Sequence, residues 1–149
     1  MMSIHDVTAA NQQAICALQV AKAQIDFIET PSECLAEAEV CQAYKPVGLY
    51  LDDEPVGFAM YAYFQSKETG GRLWIDRFLI DVRFQGKGLG AAFMQAMIEK
   101  VQQEYGVQPI FLSVYENNEA AIRLYQKLDF YFIDEWDTKG ERLMVRDVR

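Results

Sequence analysis

The stretch Gln85-Gly86-Lys87-Gly88-Leu89-Gly90 stands between the apolar run Phe78-Leu79-Ile80 and the helix-like Ala91-Ala92-Phe93-Met94-Gln95-Ala96-Met97-Ile98. A strand, a glycine loop and a helix in that order leave few folds open. Glycines let the backbone turn tightly, and the amides that open the helix have no intrahelical partner. Such amides point at whatever lies in the loop and favour an anion. A phosphate or pyrophosphate is the natural occupant.

Several chemistries use this arrangement. The Walker loop needs Gly, four residues and Gly-Lys-Ser/Thr, whereas Lys87 is followed by Gly88. The dinucleotide fingerprint is met in letters by Gly86, Gly88 and Ala91. Its position is wrong, because that loop follows the first strand and needs several βα units behind it, and here about 60 residues remain. A purely structural glycine turn is the other alternative.

With 149 residues, 51% of them apolar, the chain is sized for a single domain spanning 1–149. Its net charge of −8 disfavours nucleic acid as a partner and favours a cationic ligand. Cys16, Cys34 and Cys41 form no metal or redox spacing, and Cys34 and Cys41 would lie about 10 Å apart on one helix, too far for a disulfide. Free, buried thiols are expected. His5 is the sole histidine, so no metal site is expected. No 18 apolar residues run together and the first residues lack a basic start and an apolar stretch, so no membrane partner and a cytoplasmic location are expected.

Periodicity gives the element order. Residues 3–7 read as a strand and 10–25 as a helix with Ala14, Leu18, Ala21 and Ile25 on one side. A second helix starts near Ser32, signalled by Thr30-Pro31-Ser32-Glu33, and ends at Tyr44-Lys45-Pro46. Strands at 47–51 and 56–64 flank the turn Asp52-Asp53-Glu54-Pro55. Residues 72–81 are too apolar for a one-sided sheet and must be central. After the loop and its helix, 110–114 is a strand parallel to it, 118–128 a helix, and 131–137 and 142–145 a hairpin around Thr138-Lys139-Gly140. The fold class is α/β of the α+β type: a mixed, mostly antiparallel sheet of about seven strands with about four helices.

Gln85-x-x-Gly88-x-Gly90, followed after the next strand by Asn118-Glu119-Ala120-Ala121-Ile122-Arg123-Leu124-Tyr125, resembles the GNAT superfamily of acyl-CoA-dependent N-acetyltransferases. The resemblance covers nearly the whole chain and implies that fold, with one parallel strand pair splayed where the cofactor enters. It implies acetyl-CoA as co-substrate, without a metal, and a homodimer. The diphosphate would rest on the backbone of Gln85, Gly86, Lys87, Gly88, Leu89, Gly90 and Ala91, and the main chain of Phe78, Leu79 and Ile80 would pair with the pantetheine amides. Lys87 is either a counter-charge or a solvated loop residue. Asn118 either binds the cofactor or caps its helix.

Tyr125 matches the superfamily's general acid. A phenol with an ordinary pKa of about 10 can protonate a leaving thiolate whose thiol sits near 8.5. Asn118 lies two helical turns before it on the same face, which favours this role over packing alone. Asp76 interrupts an apolar strand, where strict alternation puts it on the face of Trp74 and Phe78. It is either ion-paired to a neighbouring element or aimed at the acceptor pocket, holding an ammonium or relaying its proton through water. Trp74-Ile75-Asp76-Arg77-Phe78-Leu79-Ile80 is similar to the spermidine/spermine branch, in which an acid faces the polyamine; Asp26 and Glu29 either stand where that branch places further substrate-facing acids or form a solvated helix end. Trp74, Tyr61 and Tyr63 could line a trough for the polyamine, although packing in the core or hairpin is the first reading for each. A small cationic amine is the implied acceptor; another amine (a protein N-terminus, lysine, amino acid or aminoglycoside), or a non-catalytic acyl-CoA sensor, is the alternative.

Overall fold

A computed structural model of the chain describes residues 1–148; Arg149, inside the expected domain span, lies outside the described residues. The elements are β1 (Met2–Asp6), α1 (Gln12–Cys16), a 3-10 helix (Lys22–Phe27), α2 (Pro31–Val40), β2 (Lys45–Leu51), β3 (Glu54–Ser66), β4 (Gly70–Ile80), a 3-10 turn (Val82–Phe84), α3 (Leu89–Tyr105), β5 (Ile110–Val114), α4 (Glu119–Lys127), β6 (Tyr131–Trp136) and β7 (Arg142–Arg146). The strands form one sheet in the order β1-β2-β3-β4-β5-β7-β6. The β4–β5 pair is parallel and every other neighbouring pair is antiparallel.

Both faces of the sheet are covered, as the apolar β4 requires. On one face Phe93, Met94, Met97, Ile98 and Val101 of α3 pack on Leu49, Leu73, Ile75 and Ile110, with Ile122 and Tyr125 of α4 against the same core. On the other, Ile15, Leu18 and Cys34 from the α1–α2 region pack on Phe58, Met60 and Leu79. Gly48 is what lets α1 approach, since a Cβ there would stand 2.6 Å from Ile15 Cδ1. At α2, Thr30 Oγ1 accepts from Glu33 N at 3.2 Å while Glu33 Oε1 accepts from Thr30 N at 3.0 Å, a reciprocal cap with Pro31 in the first helical position.

The structure corrects two sequence expectations. The helix expected over 10–25 is broken into α1 and the 3-10 helix. Gln19 N donates to Asp81 Oδ2 at 2.9 Å and Gln19 O accepts from Val82 N at 2.7 Å, so tertiary bonds take the backbone groups that a continuous helix would have used. The second correction concerns β4. Met60 pairs with Arg77 and Tyr61 with Ile75, which leaves Asp76 as an extra residue, a β-bulge. Ile75 and Ile80 therefore share the α3 core although an odd number of positions separates them. Phe78 follows Ile80 to that face, so Asp76 does not share its face with Phe78. Its neighbour there is Arg77, through an ion pair of 2.9 Å.

Candidate active site

β4 and β5 pair only at Leu73–Ile110 and Trp74–Phe111 and then part. Beyond that point the β4 residues 76 to 80 have no β5 partner, and this edge of the strand borders a cleft. The cleft has a volume of about 320 Å³, in the range of small-molecule sites. Phe78, Leu79 and Ile80 line one wall, Ser113 and Val114 the other, and Gln85, Gly86, Gly90, Asn118 and Tyr125 its end and floor.

The glycine loop closes this end. Gly86 and Gly88 have φ of 79° and 78°, and a Cβ on either would meet nothing within 4 Å, so the requirement is for the left-handed backbone rather than for space. The first amide to bond into α3 is that of Ala92, to Gly88 O at 3.3 Å. Among the described residues the amides from Gly86 to Ala91 have no hydrogen-bond acceptor, and α3 behind them adds the positive end of a 17-residue helix. These residues fit a diphosphate. The Gln85 side chain is engaged elsewhere: its Nε2 donates to Ile80 O at 2.8 Å and to Gln24 Oε1 at 2.9 Å, which ties the loop to the end of β4. Lys87 is exposed, with Nζ 5.7 Å from the centre of the Phe84 ring, and Lys87, Gly88, Leu89 and Ala91 stand outside the cavity lining.

Asn118 caps α4, its side chain accepting from Ala121 N at 3.4 Å, and also lines the cleft. Tyr125 packs its ring 6.0 Å from that of Phe130. Among the described residues its hydroxyl has no hydrogen-bond partner. Burial, and then the charge of Glu141, push the phenol up to about 12, so it stays protonated at neutral pH.

A second cavity adjoins the first on the α2 side, lined by Glu37, Tyr44, Asp76, Arg77, Ser113, Asp137, Lys139 and Glu141 among others. Its organising cation is Arg77: Nη1 lies 2.9 Å from Asp76 Oδ2, Nη2 donates to Glu37 Oε2 at 3.1 Å, and Nε is 2.8 Å from Glu29 Oε2 without a hydrogen bond of correct geometry. Glu29 also meets Lys139 Nζ at 2.6 Å, and these cations hold its pKa below the ordinary value against burial, which alone would raise it. Asp76 goes the other way. Burial raises it, and Arg77 and Tyr44 only partly offset this. Asp76 lines both cavities and Glu29 the first; Asp26 is exposed on the 3-10 helix and lines neither.

The aromatic candidates take the packing reading and line neither cavity. Tyr61 is buried with its hydroxyl donating to Glu104 at 2.8 Å, Tyr63 stacks on Tyr105 and Trp74 packs against Phe111. Sequence reasoning missed Glu37, Tyr44, Ser113, Asp137 and Glu141. Glu141 follows Gly140 in a polar turn and reads as a solvated acid; only the insertion of β7 beside β5, pairing Arg142 with Val114, carries it to the cleft. Cys34 is buried as expected, Cys16 and Cys41 are partly exposed, and all three are free. Among the described residues no cluster of three or more His, Cys, Asp or Glu could hold a metal, and no helix is long and apolar enough to cross a membrane.

Residues 11–130 match the model of the acetyltransferase (GNAT) family. The chain is 45% identical over 150 aligned positions, 99% of both chains, to the spermine/spermidine N(1)-acetyltransferase of Bacillus subtilis (strain 168). Its fold is that of AAC(6′)-Ib in complex with ribostamycin and coenzyme A (TM-score 0.80, 19% identity, 98% and 93% of the two chains). It is also that of the PaiA N-acetyltransferase of Thermoplasma acidophilum in complex with coenzyme A (TM-score 0.70, 14% identity, 99% of each). By loop, splayed strands and sequence together, the chain belongs to the acetyltransferase (GNAT) family.

Proposed function

We propose that this chain transfers the acetyl group of acetyl-CoA to a primary amine of a polyamine of the spermine/spermidine type, by direct attack in a ternary complex. The observation that carries this reading is the meeting of an anion-binding cleft with a second cavity lined by Glu37, Asp76, Asp137 and Glu141, one side suited to a diphosphate and the other to a chain of ammonium groups. The 45% identity to the Bacillus subtilis enzyme supports the same acceptor.

Acetyl-CoA supplies the activated acyl group as a thioester. The amides from Gly86 to Ala91 bind its diphosphate, and the edge at Phe78, Leu79 and Ile80, where Gln85 already takes Ile80 O, offers its remaining main-chain groups to the cofactor's amides. Tyr125 donates its phenol proton to the departing sulfur. Asp76 holds the ammonium end of the acceptor, with Arg77 fixing the carboxylate and Glu29 completing the negative wall. Among the described residues no cysteine lines the first cavity, where the thioester would lie, and Cys41 lines only the second; this agrees with direct transfer. A cytoplasmic homodimer belongs to this reading; the half-exposed Tyr131 and Trp136 on edge strand β6 support an association surface.

The test is thiol release from acetyl-CoA across spermine, spermidine, diamines, amino acids and aminoglycosides, with Asp76→Asn beside the native chain. Polyamines are expected to give the highest kcat/KM, and Asp76→Asn to raise their KM about tenfold or more, as loss of a charge-assisted contact does. Turnover confined to amino acids or aminoglycosides would reject the polyamine assignment. Tight coenzyme A binding without transfer to any amine would make the chain a sensor.

A further inference from the structure

The two cavities share Asp76, Arg77, Ser113 and Glu141. An acyl group carried along the first and an amine entering through the second meet at these residues, so a group that deprotonates the amine must stand among them. Arg77 is a cation already engaged by three carboxylates. Asp76 is raised by its burial, but Arg77 at 2.9 Å occupies its carboxylate, which leaves it less free than an unpaired acid to receive the proton. Ser113 offers a neutral hydroxyl. Glu141 differs, because among the described residues no cation lies within ion-pair distance of it. Its backbone is fixed from both sides: its amide donates to Asp137 Oδ1 at 2.9 Å and its carbonyl accepts from Asp137 N at 2.8 Å. The carboxylate is thus held at the junction, near enough to Tyr125 for its charge to act on the phenol.

We infer that Glu141 is the general base of this enzyme, accepting the proton of the attacking ammonium directly or through one water, an assignment that rests on the acetyl-transfer reading above. The groups around it come from every neighbouring element: Asp76 and Arg77 of β4, Glu29 before α2, Glu37 of α2, Tyr125 of α4, and Asp137 and Lys139 of the β6–β7 turn. Burial first, then Asp137 and Glu29, raise its pKa to about 7 against the opposing Arg77. Ionised above that value and more basic than an ordinary carboxylate, it suits proton abstraction near neutrality. An N–H bond of the ammonium breaks and Glu141 becomes the neutral acid. The freed lone pair forms the N–C bond to the acetyl carbon as the C–S bond breaks. Tyr125 gives its proton to the sulfur and regains one from the new amide nitrogen, and Glu141 releases its proton to solvent.

The experiment records kcat and KM of the native chain, Glu141→Gln and Glu141→Asp from pH 5.5 to 9.5, using acetyl-CoA and spermine, or the best primary amine if spermine is not accepted. Gln can keep the contact with Asp137, and circular dichroism melts check the fold. The native kcat is expected to fall on the acid side with an apparent pKa near 7. Glu141→Gln should lose about a hundredfold or more in kcat and the acid limb with it, while KM for acetyl-CoA stays unchanged and Glu141→Asp recovers part of the rate. A Glu141→Gln enzyme with kcat within about twofold of native, an unchanged acid limb, or a loss confined to the amine KM would overturn the assignment. Failure with spermine but turnover of another amine rejects the polyamine reading alone; inertness to every amine rejects both.

Discussion

Tyr125 belongs to the core and reaches the cleft with the same side chain. Its ring belongs to the α3-side core while, among the described residues, its hydroxyl has no hydrogen-bond partner at the cleft. A phenol pushed up to about 12 keeps its proton at neutral pH, and in the proposed role it gives that proton to the sulfur as the C–S bond breaks. Tyr125→Phe should therefore lower kcat about a hundredfold or more. Coenzyme A affinity by calorimetry should stay within about twofold, since the ring is retained. A kcat within threefold of native would remove the residue from the proton path. The place of Tyr125 and Asp76 at the cleft was legible in the sequence, Tyr125 because it matches a motif and Asp76 because it interrupts an apolar strand. Glu141 breaks none, and its meaning comes from the neighbours that topology gives it.

At the scale of elements, Asp81 is the joint between the end of β4 and the segment after α1. It is 2% exposed and receives hydrogen bonds from Gln19 N, Arg83 N and Arg83 Nε, all between 2.8 and 2.9 Å. Burial alone would raise its pKa, but these donors bring it below the ordinary 3.8. A folded-state pKa below the unfolded one adds stability that is present above about 4 and is lost as pH falls through the folded value. Asp81→Asn should cost about 1–3 kcal/mol in urea unfolding at pH 7. The gap from the native chain should narrow below pH 4; a gap independent of pH would show that the charge is immaterial. This joint also explains why the expected first helix failed: the periodicity of 10–25 was real, but its backbone bonds are made to a strand end more than 60 residues away. The bulge at Asp76 was equally hidden, because alternation cannot show an inserted position until the partner strand is known.

For the whole molecule, the cleft exists because one parallel pair parts in an otherwise continuous sheet. Seven strands, the parallel pair and the central place of β4 follow from apolar runs and from the helix between β4 and β5, so they could be read from sequence. The meeting of two cavities could not, since it depends on which chain ends the sheet brings side by side. A ligand that bridges the open walls binds only the folded chain. Coenzyme A at 100 times its Kd should add about 2.7 kcal/mol of stability, raising Tm by roughly 5–10 °C. A thermal scan without any shift would argue against the diphosphate site.

The interior position of β7 has a further bearing on synthesis. Residues 142–146 sit between β5 and β6, so a nascent chain halted before Arg142 would still hold β5 with a bare flank and would leave Glu141 without the strand that carries it to the cleft. Translation must run past that strand before the reaction chamber is complete, and the half-made protein cannot begin to spend the cell's acyl donor.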